Sequence, residues 1–218
     1  MFEVMLDLIE DAHKDQTDKV GFPYHLHCKR VACNSVSLLL EYGLDVDIDI
    51  VNAALGHDLT EDTYVTTSLL MNVKFSEACV DTITACDNGI HGRDKERYFR
   101  TLLHNYRAVV VKHGDSSDNA RKWRLELLDD QKTVERLTRK YAKNLARLDE
   151  KFAEYVEEGV YRKVSEGSLG QQLIDAGFLA LPADEGMSED RFNFLRSNIS
   201  EYICRQEEKN TFDALMWK

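Results

Sequence analysis

Only two prolines, Pro23 and Pro182, occur in the 218 residues, so the chain nearly lacks the residue that most effectively stops a helix. Apolar residues recur mostly at intervals of three and four, the period of a helix with one buried face. The chain is therefore read as almost entirely α. Phe2, Met5, Leu8, Ile9 and Ala12 form one face of a first helix; a second is expected from about His25 to Tyr42, with Gly43 as its stop. Asp47 or Asp49 caps a third, which carries Ile50, Val51, Ala54 and Leu55 toward His57 and Asp58. Short helices are expected over 66–73 and 76–86, and the segment from Asp87 to Asp94, with Gly89 and Gly92, reads as a loop. The run Ala108-Val109-Val110-Val111 is rich in β-branched residues and alone would suit a strand. With no partner strands evident, it reads as buried helix.

From Val134 onward, Leu137, Tyr141, Leu145, Leu148, Phe152 and Tyr155 mark a long amphipathic helix with a charged outer face. Its heptads are too few for an intermolecular coiled coil, so it reads as a packing helix. Glycines at 159, 167, 170, 177 and 186, with Pro182, mark a looser connection. A last helix starts near Ser188 and buries Phe192, Leu195, Ile199 and Ile203. The expected organisation is one domain over 1–150 and a helical extension over 151–218. The role of that extension is left open among covering the site, forming a homo-oligomer and docking a partner.

A net charge of −11 lacks the basic footprint that nucleic acid or an anionic membrane surface requires. A phosphorylated small molecule is not excluded, because a metal and a few local cations can outweigh the global field. The five cysteines, Cys28, Cys33, Cys79, Cys86 and Cys204, are odd in number and form no C-x-x-C pair. That argues against a disulfide framework and for a reducing compartment. With an acidic, amphipathic start and no membrane-length apolar run, a cytoplasmic location is expected.

Three segments carry candidate chemistry. Gly21-Phe22-Pro23-Tyr24-His25-Leu26-His27 is the first, His57-Asp58-Leu59-Thr60-Glu61-Asp62 the second, and the stretch from Val111 to Asn119 the third. In the second, Glu61 and Asp62 follow the His-Asp pair by one helical turn and so share its face. Together the segments can supply two histidines and two aspartates, a nitrogen and oxygen set that suits Mn²⁺ or a similar divalent metal.

In order and spacing these blocks resemble the HD-domain metal-dependent phosphohydrolases. The closer likeness is to the (p)ppGpp hydrolase domain of stringent-response synthetase/hydrolases and their small stand-alone relatives. The blocks are Ala12-His13-Lys14-Asp15-Gln16, Gly21 to His27, Gly56 to Thr63, and Val111-Lys112 with Asp115 and Asn119, spanning roughly residues 10 to 125. The resemblance implies an all-α HD-type bundle with His27, His57, Asp58 and Asp115 as metal ligands. Glu61 and Asp62 would orient and deprotonate the attacking water, with Glu61 receiving the proton, and Asn119 would bond near the metal or the sugar. His25 falls two residues too early to be the ligand.

Where the family carries an Arg-Lys nucleotide grip, this chain has Asp18-Lys19, so Lys19 alone is expected to reach substrate. Among Arg93, Lys95, Arg97 and Arg100, the preferred phosphate contacts are Lys95 and Arg97. Gly56 stands where the family has leucine, which implies looser local packing. His13 is expected to satisfy a core hydrogen bond, and His91, His104 and His113 have no supporting pattern. The activity implied is removal of the 3′-diphosphate of (p)ppGpp. The alternatives are the ribose phosphate of NADPH, a nucleoside monophosphate, or a non-catalytic nucleotide-binding module.

Overall fold

The computed structural model describes residues 1–91 and 94–216, and among these the fold is all-α. In order the helices are α1 (Phe2–Ala12), α2 (Tyr24–Glu41), α3 (Ile48–Gly56), α4 (Leu59–Asp62), α5 (Thr67–Asn72), α6 (Glu77–Cys86), α7 (Lys95–Leu103) and α8 (Tyr106–Asn119). Then come α9 (Lys122–Glu126), α10 (Gln131–Glu157), α11 (Leu169–Asp175) and α12 (Asp190–Met216), with short 3-10 turns at Gly89–His91 and Phe178–Ala180. Two isolated β-bridges are present, Thr17 with Pro23 and Leu44 with Lys163, but no strand among the described residues. The Ala108–Val111 run is helical within α8, and all four residues are buried. No described helix is long and apolar enough to cross a membrane.

Local signals set the helix ends. Asp47 caps α3 through the Asp49 amide, Thr66 caps α5 and Ser76 caps α6, each contributing about 1 kcal/mol. The stop after α2 is a Schellman arrangement: the Gly43 amide donates to the Leu40 carbonyl and the Leu44 amide to that of Leu39. Gly43 makes the turn possible with its φ of +66°.

Helix α2 is the axis of the bundle, packed on α3, α8 and α12 and buried over nearly all its length from Leu26 to Leu40. A helix enclosed on all sides needs apolar residues around its whole circumference, and Val31, Val36, Leu38, Leu39 and Leu40 meet that need. Each fully buried leucine contributes roughly 2 kcal/mol. Helices α2 and α8 approach so closely that a Cβ at Gly114 would lie 2.5 Å from Ser35 Oγ and 2.8 Å from the Val31 carbonyl. Glycine at 114 thus sets the crossing, and residue 115 follows it directly.

Gly56 does not loosen the packing as expected. A Cβ there would meet Met5 Sδ at 2.9 Å and Ile83 and Leu59 at 3.1 Å, so its absence lets α1 and α6 close over the end of α3. Residue 150 falls inside α10, and the apolar side chains of 151–199 join the same core through Phe152, Leu169, Leu173, Phe178, Phe192, Leu195 and Ile199. The segment read as a loose connection holds α11 and the 3-10 turn at 178–180.

Candidate metal centre and phosphate cleft

The four metal-ligand candidates meet although they come from three helices or their ends. His27 lies on the first turn of α2, His57 and Asp58 follow the end of α3, and Asp115 sits on α8. Donor atoms of His27, His57 and Asp58 all lie within 4.8 Å of one another. Asp115 Oδ1 is 3.3 Å from His27 Nε2 and 3.9 Å from His57 Nε2, which places it in the same group.

Each imidazole is held by its far nitrogen, as a metal-binding histidine usually is. His57 Nδ1 contacts the Ala54 carbonyl at 2.8 Å, and His27 Nδ1 contacts Asp118 Oδ2 at 2.8 Å. His57 Nε2 is buried 2.8 Å from Asp58 Oδ2, yet it lacks the alignment of a hydrogen bond. Two ligands aimed at a common point between them have this geometry. The donor set therefore fits a divalent metal ion.

The electrostatics agree. Burial opposes charge on His57, but the carboxylates of Asp58 and Asp115 outweigh it and raise the imidazole to about 9. Negative potential strong enough to hold a proton there would also draw a cation. Asp58 and Asp115 are held below the usual carboxylate range against their own burial, Asp58 mainly by His57 and Asp115 mainly by Lys112. Tyr24 donates its hydroxyl to Asp58 Oδ2 at 2.7 Å, and Asn119 donates Nδ2 to Asp115 Oδ1 at 2.5 Å. Asn119 thus sits beside the Asp115 carboxylate.

A cleft of about 440 Å³ opens over this group. Glu61 and Asp62, on the single-turn helix α4, line it next to Asp58. Partial burial and the like charges of Asp58 and Glu61 raise the Asp62 carboxyl above its ordinary value. Glu61 Oε2 accepts the Asn88 amide at 3.0 Å, which fixes the carboxylate at the rim. Lys19 and Lys95 both reach the cleft, at 3.5 Å from Tyr141 Oη and 2.9 Å from Asn88 Oδ1 respectively. Arg97 is exposed and is not among the residues lining it. Arg93 lies outside the described residues, as does the side chain of His91. His13 is buried on Gln16 and stacks on Tyr24, while His113 pairs with Asp149.

The opposite wall comes from α10, which sequence reasoning treated only as packing. Lys140, Tyr141, Lys143, Asn144 and Arg147 line the cleft from this helix. Burial and the charges of Lys19 and Lys112 lower the Lys140 ammonium, the mark of cations gathered without an anion between them. Lys112 also lines the cleft, 2.7 Å from Asp115 Oδ2, and its ammonium is held well above the ordinary range against burial. Lys112 and Asp118 lay within the third sequence segment without a role. The residues of α10 gave no signal, because lysines on the outer face of a helix usually face only water.

Asp18 does not face the cleft as the residue it replaces would. It is buried, its Oδ1 accepts the amides of Val20 and Phe22, and its Oδ2 faces Arg124 at 3.2 Å and Arg30 at 3.6 Å. It shapes the loop that presents Lys19.

Comparison with known proteins finds no matching family model and no matching curated protein. Among solved structures, the chain is similar to one described as a metazoan ortholog of SpoT that hydrolyzes ppGpp and plays a role in starvation responses. The match has a TM-score of 0.51 and 24% identity, and covers 72% of this chain and 95% of that one. At that identity the likeness establishes the architecture: this chain is an all-α bundle sharing the fold of that ppGpp hydrolase.

Proposed function

We propose that the chain is a divalent-metal-dependent phosphohydrolase of a phosphorylated nucleotide, working with Mn²⁺, and that (p)ppGpp, cleaved at its 3′-diphosphate, is the substrate to test first. The observation that carries this reading is the pairing across one cleft. Two histidines and two aspartates gather at the floor, and Lys19, Lys95, Lys140 and Lys143 gather around it. A bound divalent ion would acidify the attacking water and draw charge off the phosphoryl group. The chain's own residues do the rest.

With Glu61 Oε2 engaged by the Asn88 amide, Asp62, its carboxyl raised, is better suited to accept the water proton than the Glu61 expected from the sequence, and Glu61 to orient that water from the rim. The lysines bind phosphoryl oxygens and hold the substrate over the floor of the cleft. Tyr24 and Asn119 hold the two ligand carboxylates in place. The local cations resolve the apparent conflict between an acidic protein and an anionic substrate.

A second substrate reading rests on Asp18. With its carboxylate folded into the Arg30 and Arg124 cluster, position 18 offers no guanidinium to stack on guanine. A nucleotide recognised chiefly by its phosphates, such as NADPH through its ribose phosphate, is the corresponding alternative. Release of phosphate or diphosphate from ppGpp, NADPH and nucleoside monophosphates, with Mn²⁺ and with chelator, tests both. Turnover of ppGpp above the others is expected. Tight nucleotide binding with no release from any of them would leave a non-catalytic module instead.

A further inference from the structure

Asp118 is the most enclosed acid in the molecule's functional half, and no step above uses it. Its side chain has no exposure, yet it meets four charged or polar partners. Oδ1 accepts from Arg30 Nε at 2.8 Å and faces Arg121 Nε at 3.2 Å. Oδ2 accepts from Arg124 Nη1 at 2.6 Å and lies 2.8 Å from His27 Nδ1. Burying a carboxylate is costly unless such partners compensate it, so a cluster this complete calls for an explanation beyond stability.

The cluster also has a direction. Trp123 lies under both the Arg30 and Arg124 guanidiniums, at 5.4 and 5.9 Å from their carbons. Beyond them is Asp18, and Arg30 Nη1 reaches the Gly186 carbonyl at 3.1 Å in the C-terminal segment. Every arm except one ends on structural groups. The exception ends on His27, whose Nε2 faces Asp115 and Asp58.

We propose that Asp118 is a positioning residue for the metal centre: ringed by three arginines, it fixes the proton of His27 on Nδ1 and presents Nε2 to the ion. This rests on the metal reading given above. An ionised carboxylate can only accept, so the imidazole nitrogen facing it must be the donor. The Nε2 lone pair is then left toward Asp58 and Asp115. The arginines keep Asp118 from rotating toward the ligands or from competing for the ion itself.

The test is metal affinity, measured by Mn²⁺ titration calorimetry on the full chain. Asp118→Asn removes the charge and is expected to weaken binding about 10- to 100-fold. Asp18→Asn damages the same arginine cluster without touching His27, and is expected to leave affinity within about twofold. Equal losses in the two variants would mean a general effect of the cluster, and would overturn the assignment. So would unchanged affinity in Asp118→Asn.

Nitrogen NMR of the wild-type protein supplies a readout that needs no variant. A proton on Nδ1 of His27 is expected from its contact with Asp118, and Nδ1 found without a proton would overturn the proposal. Should the wild type itself take up no divalent metal, the functional reading falls and this role with it. Uptake by the wild type with no difference in Asp118→Asn rejects this role alone.

Discussion

The two walls of the cleft are built on opposite principles. The wall formed by α2, α8 and the end of α3 is acidic and buried, with His27, His57 and Asp115 almost without exposure. The wall formed by α10 is cationic, and Lys143 on it is exposed. The first must hold its geometry before anything binds, since a metal ion selects by ligand number and position. The second only has to supply positive charge near a phosphate, which lysines do as point charges without strict geometry. Rigidity is concentrated where coordination demands it.

The sharpest way to break this contrast is to remove a ligand from the rigid wall. Asp58→Ala should lose bound metal and, with it, about three orders of magnitude in phosphate release, as metal analysis and steady-state assays would show. A variant that retained the metal would place the ion elsewhere. Next, Glu61→Ala should keep the metal while turnover falls roughly 10²-fold or more. Equal metal loss in the two variants would make Glu61 a ligand.

The cationic wall should respond more gently. Lys140→Ala combined with Lys143→Ala is expected to raise KM about tenfold with kcat nearly unchanged, the pattern for binding shared by ground and transition states. A fall in kcat alone would mean that these lysines act on the reaction itself.

The smallest effect concerns protons. In the metal-free protein the His57 imidazole, raised to about 9, carries a proton at neutral pH, and an incoming ion must displace it. Apparent metal affinity should therefore rise with pH until about 9 and level off above it. Calorimetry in buffers of different ionisation enthalpy should register about one proton released at pH 7. Binding that does not change between pH 7 and 9 would remove His57 from the ligand set.

The same division governs what was legible beforehand. Helix periodicity, a cap at Asp47 or Asp49 and the Gly43 stop are local, and they placed α2, α3, α5 and α6 within a residue or two. On the buried wall, the motif blocks that resemble a known family singled out His27, His57, Asp58 and Asp115, and the structure brings them together. Lysines of α10 lie in no such block. Nothing local separates Lys140 or Lys143 from the lysines that face only solvent. Arg97 and Lys95 looked equivalent two residues apart, but only Lys95 turns into the cleft, because adjacent helical faces diverge.

Sequence alone thus determined the helical architecture, through short-range periodicity, and offered His27, His57, Asp58 and Asp115 as candidate ligands through the resemblance of its motif blocks to a known family. Tertiary packing decided everything that depends on which helix lies against which. The crossing at Gly114 brings Asp115 to His27, and the placement of α10 turns a charged face into one wall of the cleft. Asp118 beneath His27 and Asp18 folded into its arginines belong to the same class. These contacts join residues far apart along the chain, where short-range spacing carries no information.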